Sequence, residues 1–265
     1  MMKIVFSDVD GTLLNSEHEI TPLTRQSIEK LQDNGIPFVI ISARSPSGIY
    51  PILDTYGFRC PIIAYSGALI LDEKKNVLFH KGMEKPLAGK IIEFLEASRF
   101  DLAWSAYSLD QWIVKDKSDP RIMEEERIVK AQAMQGTVDA ATDAQINKIL
   151  CICNPEDILE IEEKLKEAFP DCSIVKSADY LLEIMEKGIT KAVAVQKLCD
   201  LWNIDIADAV AFGDNYNDAE MLETVGTGFL MGNAPQELKS RISRHTLDNN
   251  QDGIFHALSE INLVW

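Results

Sequence analysis

No stretch of the 265-residue chain approaches the ~20 consecutive apolar residues that a bilayer-spanning helix requires. Its start, Met1-Met2-Lys3 followed by Ile4-Val5-Phe6 and then Ser7-Asp8, lacks the apolar core of a secretory signal, so the chain is expected to stay in the cytoplasm. Cysteine is scarce: Cys60, Cys151, Cys153, Cys172 and Cys199 are odd in number and scattered. That spacing argues against a disulfide framework or a thiolate metal site and for reduced, buried thiols. His18, His80, His245 and His256 show no ligand spacing. Basic residues are outnumbered, 26 Lys and Arg against 42 Asp and Glu, leaving a formal charge of −16. A surface of that sign argues against nucleic acid or an anionic membrane as the main partner. Short repeats and low-complexity linkers are also missing.

What is present is the composition of a soluble globular protein, long enough for one large domain or two unequal ones. Lys3 to Phe6 reads as a buried strand ending in the polar turn Ser7 to Thr12. Thr21-Pro22 supplies an N-cap and a proline at the first helical position, and Gly35 closes that helix. Ile36 to Ile41 predicts a second strand, Ser47 to Tyr56 a helix, and Pro61 to Tyr65 a third strand. Strands alternating with helices predict βαβ units and a parallel sheet.

From about Met83 the pattern changes. A helix over Pro86 to Arg99 precedes polar–aromatic alternation at Leu102 to Tyr107 and Gln111 to Val114, which suits a sheet with one wet face. Asp119 to Met134 predicts a helix, Ile146 to Cys153 a strand, Pro155 to Phe169 a helix and Asp171 to Met185 a hairpin. The α/β rhythm returns at Gly188. Thr190 can cap a helix to Trp202, Ala209 to Phe212 is a buried strand, Gly228 to Met231 adds another, and Pro235 to Ile242 another helix. The expected architecture is a doubly wound, Rossmann-like parallel-sheet core (1–82 and 188–265) interrupted by an α+β cap (83–187).

The chemistry concentrates in polar loops after buried strands. In Asp8-Val9-Asp10-Gly11-Thr12 two carboxylates two residues apart project to one side, and they repel unless a divalent cation or a lysine neutralises them. Gly11 allows a tight turn and a close backbone approach. Gly213-Asp214-Asn215-Tyr216-Asn217-Asp218 is a second acidic loop after a strand, and parallel sheets gather ligands at the carboxyl ends of their strands. Convergence of Asp8, Asp10, Asp214 and Asp218 calls for a metal. Asp218 can also cap the helix predicted over Ala219 to Val225. Ser42 can donate a hydroxyl to a phosphoryl oxygen, helped by backbone N–H groups at the start of the next helix. Lys191, in a first helical turn, opposes the helix dipole unless acids hold it. Each of these residues taken alone is equally at home in a turn, a cap or an exposed surface.

In order, spacing and context these elements resemble the haloacid dehalogenase superfamily over essentially the whole chain, and the late cap resembles its Cof-type sugar-phosphatase branch. Ser42-Ala43-Arg44 stands where that branch commonly has Thr/Ser-Gly-Arg, and Ser66-Gly67-Ala68 where it commonly has Asn-Gly-Ala. The resemblance implies a phosphatase in which Asp8 attacks phosphorus and Asp10 serves as acid and then base. It implies Mg2+ held by Asp8, the Asp10 backbone carbonyl and Asp214, and phosphate contacts from Gly11, Ser42, Ala43, Arg44, Lys191 and Asn217, with Asp218 orienting Lys191. The substrate implied is a small phosphorylated metabolite, a sugar phosphate first, with the cap closing over the leaving group. A phosphomutase or other phosphotransferase and a phosphoaccepting receiver module are the competing readings. The cap aromatics Trp104, Tyr107 and Trp112 are expected to serve core packing rather than a pocket, since aromatic alternation in a strand is more often core packing, and no specificity residue is assigned there.

Overall fold

In the computed structural model, which describes residues 3–129 and 131–264, the chain divides into two compact units. One comprises Met1–Ala43, Ile52–Leu78 and Thr190–Trp265, the other Arg44–Pro51 and Phe79–Ile189. Among the described residues, no helix is long and apolar enough to cross a membrane.

The sheet of the first unit is built from β1 (Ile4–Ser7), β2 (Phe38–Ile41), β3 (Ile62–Ala64), β4 (Leu69–Leu71), β5 (Val77–His80), β6 (Ala209–Gly213) and β7 (Thr227–Leu230). Their order is β7-β6-β1-β2-β3-β4-β5. The first five are parallel neighbours, and β4 turns back antiparallel to β3. Ile4, Val5 and Phe6, Val39 to Ile41 and Val210 to Phe212 are completely buried, which is why these strands read as unbroken apolar runs rather than alternating ones. The connecting helices include α1 (Pro22–Asp33), α2 (Pro46–Tyr56), α3 (Lys191–Trp202), α4 (Ala219–Thr224), α5 (Gln236–Arg241) and α6 (Gly253–Glu260); α1 packs on α6 and α3 on α4. Thr21 caps α1 through its hydroxyl and Thr190 caps α3, as their sequence positions predict.

A parallel sheet brings all its strand exits to one edge. β1 leads into Asp8, β2 into Ser42, β3 into Tyr65, β6 into Asp214 and β7 into Met231. The register Ser7↔Phe212 puts the exits of β1 and β6 side by side, although about two hundred residues separate them in sequence.

The second unit holds a six-stranded sheet in the order 172–178, 181–186, 148–153, 102–108, 111–114, 134–135. One face packs Trp104, Ala106, Ile149, Cys151 and Ile184 against Ile91 and Leu95 of one helix and Ile161 and Leu165 of another. Trp104 therefore belongs to the core, whereas Tyr107 and Trp112 stack on each other at 5.8 Å and are not part of that cluster. The helix predicted over Asp119 to Met134 is shorter than expected, Pro120–Val129, and Met134–Gln135 forms an edge strand parallel to Ile113 and Val114. The Ala133 N–H donates to the Glu126 carboxylate at 2.7 Å, so the chain leaves the helix for a tertiary pairing that overrides local propensity; Lys130 of the predicted helix lies outside the described residues. All five cysteines are free thiols. Cys172 is half-buried where full burial was expected, and the other four are buried.

Candidate active site

Asp8 is the first residue past β1. Its backbone N–H donates to the Phe212 carbonyl at 3.0 Å, which extends the β1–β6 pairing by one residue and turns the side chain into the strand-exit edge. Lys191, at the first turn of α3, reaches the same point. Its Nζ lies 2.6 Å from Asp8 Oδ1 and 2.6 Å from Asp218 Oδ1, and its side chain is 1% exposed. A lysine at a helix N-terminus is opposed by the dipole, and two carboxylates more than compensate here.

Asp218 is fully buried and saturated. Besides Lys191 it accepts the backbone N–H groups of Asp214 and Asn215, both at 3.0 Å, through Oδ2. These bonds fold the Gly213–Asp218 loop onto itself. They correct one expectation: Asp218 makes no side-chain cap to α4, because both of its oxygens are already engaged. Asp214 is held from the other side by the Thr12 hydroxyl, which donates to its Oδ1 at 2.7 Å. Gly11 is required by that closeness. Its φ is +80°, and a Cβ built on it would overlap the Asp214 carboxylate, lying 2.8 Å from Cγ.

One oxygen each of Asp8, Asp214 and Asp218 lies within 4.8 Å of the others. Among the described residues the Asp8 side chain accepts one hydrogen bond, from Lys191, and that of Asp214 one, from Thr12. Each therefore keeps an oxygen in hand. Hard carboxylate oxygens are the donors a small divalent cation prefers, so Asp8 and Asp214 fit Mg2+, whereas Asp218 has no free oxygen to offer.

The electrostatics point the same way. Burial pushes the Asp8 carboxyl up to about 8; Lys191 opposes this, and the Asp218 and Asp214 carboxylates add to it. Burial likewise pushes Asp214 up to about 6, the Thr12 bond working against the rise and Asp218 with it. Burial works against the Lys191 charge, but Asp218 and Asp8 hold its pKa above the ordinary lysine value. One buried ammonium thus faces more carboxylate charge than it neutralises.

A pH dependence follows for protein stripped of metal. Asp8 and Asp214 bind their protons more tightly folded than unfolded, so the folded state carries the extra protons, between about pH 4 and 8 for Asp8 and between about pH 4 and 6 for Asp214, and stability falls as pH rises through those ranges, by up to about 1.4 kcal/mol per pH unit for each group. The melting temperature of chelator-treated protein is expected to drop between pH 5.5 and 8.5, and added Mg2+ to restore most of the loss at pH 8.5. A melting temperature indifferent to both would contradict this electrostatic picture.

The remaining sequence candidates are placed less centrally. Asp10 is exposed, and its side chain lies outside the three-carboxylate group, although its charge reaches Asp214. Ser42 is buried directly after β2. Ala43 is partly exposed, and Arg44, assigned to the second unit, donates to the Gly48 carbonyl at 3.3 Å. Asn217 is exposed, and its side chain makes no hydrogen bond among the described residues. Two contributors went unread in sequence. Thr12 lay in the first motif without a role, and Asn233, in the polar turn Gly232-Asn233-Ala234 after β7, donates to the Gly11 carbonyl at 2.8 Å. A polar turn after a buried strand was the available signal for Asn233.

A family model described as haloacid dehalogenase-like hydrolase matches residues 5–258. A Haemophilus influenzae protein carrying a provisional phosphatase name is 39% identical over 98% of both chains. The HMP-PP phosphatase of Yersinia pseudotuberculosis is 27% identical over 97% of this chain and 94% of its own. Among solved structures, a haloacid dehalogenase-like hydrolase from Bacteroides thetaiotaomicron superposes with a TM-score of 0.88 at 25% identity, covering 98% of this chain and 100% of its own.

Proposed function

The chain belongs to the haloacid dehalogenase-like hydrolases and is a phosphatase, and from that premise we propose that it hydrolyses small phosphate monoesters, sugar phosphates first among them, with Mg2+ and through an aspartyl-phosphate on Asp8. The observation that carries this reading is the single buried ammonium shared by two carboxylates at 2.6 Å, with Asp214 beside them. In this reading residues 83–187 are the cap domain.

In the first half-reaction an Asp8 oxygen attacks phosphorus, the bond from phosphorus to the alcohol oxygen breaks, and Asp10 hands its proton to the departing oxygen. In the second, Asp10 takes a proton from water, the water oxygen attacks phosphorus, and the bond to Asp8 breaks, releasing phosphate and restoring the Asp8 carboxylate and the Asp10 carboxylic acid. The burial difference suits this division. Asp8, nearly enclosed beside Lys191, has little need to exchange protons with solvent, whereas exposed Asp10 can do so freely. Lys191 holds positive charge against the phosphoryl oxygens, and Asp218 keeps it aimed. Ser42, Gly11 and the following backbone N–H groups receive the remaining phosphoryl oxygens, with Ala43, Arg44 and Asn217 contributing further contacts. Asp8, Asp214 and the Asp10 backbone carbonyl would hold Mg2+, which supplies charge neutralisation that lets one anion approach another.

The test is phosphate release from p-nitrophenyl phosphate. EDTA should remove the activity and Mg2+ restore it, and a panel of sugar phosphates together with HMP-PP would rank substrates by kcat/KM. Turnover indifferent to chelation would exclude the metal. Thr12→Val probes the Asp214 side of the site. It keeps the shape, removes the donor at 2.7 Å, and allows the Asp214 carboxyl to rise further. Mg2+ affinity by calorimetry should fall about 10- to 100-fold, and an unchanged affinity would separate Thr12 from the metal site.

A further inference from the structure

The exit of β3 carries a backbone feature that the reaction scheme does not use. Tyr65, Ser66 and Gly67 all have positive φ, at 52°, 54° and 121°, so two consecutive residues with side chains sit in the left-handed region. Such conformations persist only where their surroundings over-determine them, and they concentrate at functional sites. Tyr65 is completely buried and Ser66 nearly so.

What this segment touches is specific. The Ser66 N–H donates to the Ser42 carbonyl at 2.9 Å, tying the exit of β3 to that of β2. Gly67 lies against the start of α3. A Cβ on it would stand 2.8 Å from the Thr190 carbonyl oxygen and 2.9 Å from Ala194 Cβ. That same carbonyl accepts the Ala194 N–H at 3.1 Å, while the Thr190 hydroxyl caps the helix by accepting the Val193 N–H at 3.2 Å. Lys191 is the residue immediately after Thr190. The left-handed turn is what allows Gly67 to meet the first carbonyl of α3 without a side chain between them.

We propose that Tyr65-Ser66-Gly67 is a positioning element, whose left-handed backbone seats the first turn of α3 and so holds the Lys191 ammonium on Asp8 and Asp218 while fixing the Ser42 carbonyl. The element acts through Lys191 and Ser42, so the proposal rests on the phosphatase reading of those two residues. Misplacing a group of this kind by about 1 Å costs on the order of 100-fold in rate with little effect on ground-state binding.

The test compares Gly67→Ala, Ser66→Val and Ser66→Asn with wild type in two measurements. One is steady-state hydrolysis of p-nitrophenyl phosphate with Mg2+. The other is acetylation of Lys191 by acetic anhydride, followed by mass spectrometry, which reads lysine seating whether or not the protein turns over substrate. Wild-type Lys191, 1% exposed, should resist the reagent. Gly67→Ala and Ser66→Val should lower kcat about 30- to 100-fold with KM within threefold, and should raise Lys191 acetylation at least tenfold. Ser66→Asn, whose side chain tolerates the left-handed region, should stay within twofold of wild type in both measurements. A folded Gly67→Ala protein with wild-type kcat, or with Lys191 still protected, would overturn the proposal. Loss of fold in both Gly67→Ala and Ser66→Val would also overturn it, by assigning the turn to the fold rather than the site. Inactive wild-type protein would count against the phosphatase reading instead, with acetylation still deciding whether the turn seats Lys191.

Discussion

Asp8→Asn is expected to lower kcat for a phosphate monoester by at least about 10^4-fold while leaving the melting temperature unchanged or raised. The amide has nearly the shape of the carboxylate and cannot serve as the nucleophile. The stability half of this expectation separates a functional site from a structural ion pair. Lys191 keeps Asp218 at 2.6 Å when Asp8 is neutralised, so no charge is orphaned, and the cost of burying a charged carboxyl that pushes Asp8 up to about 8, with the neighbouring acids adding to it, disappears. Thermal unfolding and initial rates on the same preparation check both halves. Wild-type turnover by the variant would remove Asp8 from the chemistry, and a large loss of stability would make its pair with Lys191 structural.

Lys191→Met gives the converse pattern, a large loss of both stability and activity. Methionine fills similar space but leaves Asp8 and Asp218 buried beside Asp214 with no ammonium among them. Removing one partner of a buried ion pair costs about 3–5 kcal/mol, which for a chain of this size is on the order of 10 °C in melting temperature. The loss should depend on pH with a defined sign. Without the lysine the folded-state pKa of Asp8 moves up, so the folded form takes up a proton that the unfolded chain does not, and stability returns as pH is lowered from 8 to 5. Melting curves of the variant and wild type at both pH values read this directly. An equal deficit at pH 8 and pH 5 would mean that packing rather than charge is what the lysine contributes.

The two predictions depend on neighbours that were legible in sequence for a physical reason. A parallel sheet buried on both faces writes its strands as apolar runs, and each run stops where the backbone leaves the sheet, so Ser7-Asp8 and Gly213-Asp214 mark the strand exits themselves. Thr21-Pro22 and Thr190-Lys191 are readable because capping is local chemistry within a few residues. What escaped was decided by distant partners. Met134–Gln135 has no strand signal of its own and becomes one only beside Ile113 and Val114. Asp218 looks like a helix cap until the N–H groups of Asp214 and Asn215 claim it. The left-handed Tyr65 and Ser66 contradict their own preferences, since glycine or asparagine would be read there, and only the enclosing packing holds them. Thr12 and Asn233 act on Asp214 and on the Gly11 carbonyl, contacts across more than two hundred residues that no local pattern announces.

The central claim is that phosphate passes through a covalent bond to Asp8, and the direct measurement is rapid acid quench of enzyme mixed with substrate and Mg2+, hydride reduction of any acyl phosphate, and peptide mass spectrometry. The account predicts reduction at Asp8 alone, rising with the burst of released alcohol and absent from Asp8→Asn. Full phosphate release with Asp8 unmodified at every quench time, or modification centred on Asp10 or Asp214, would contradict it.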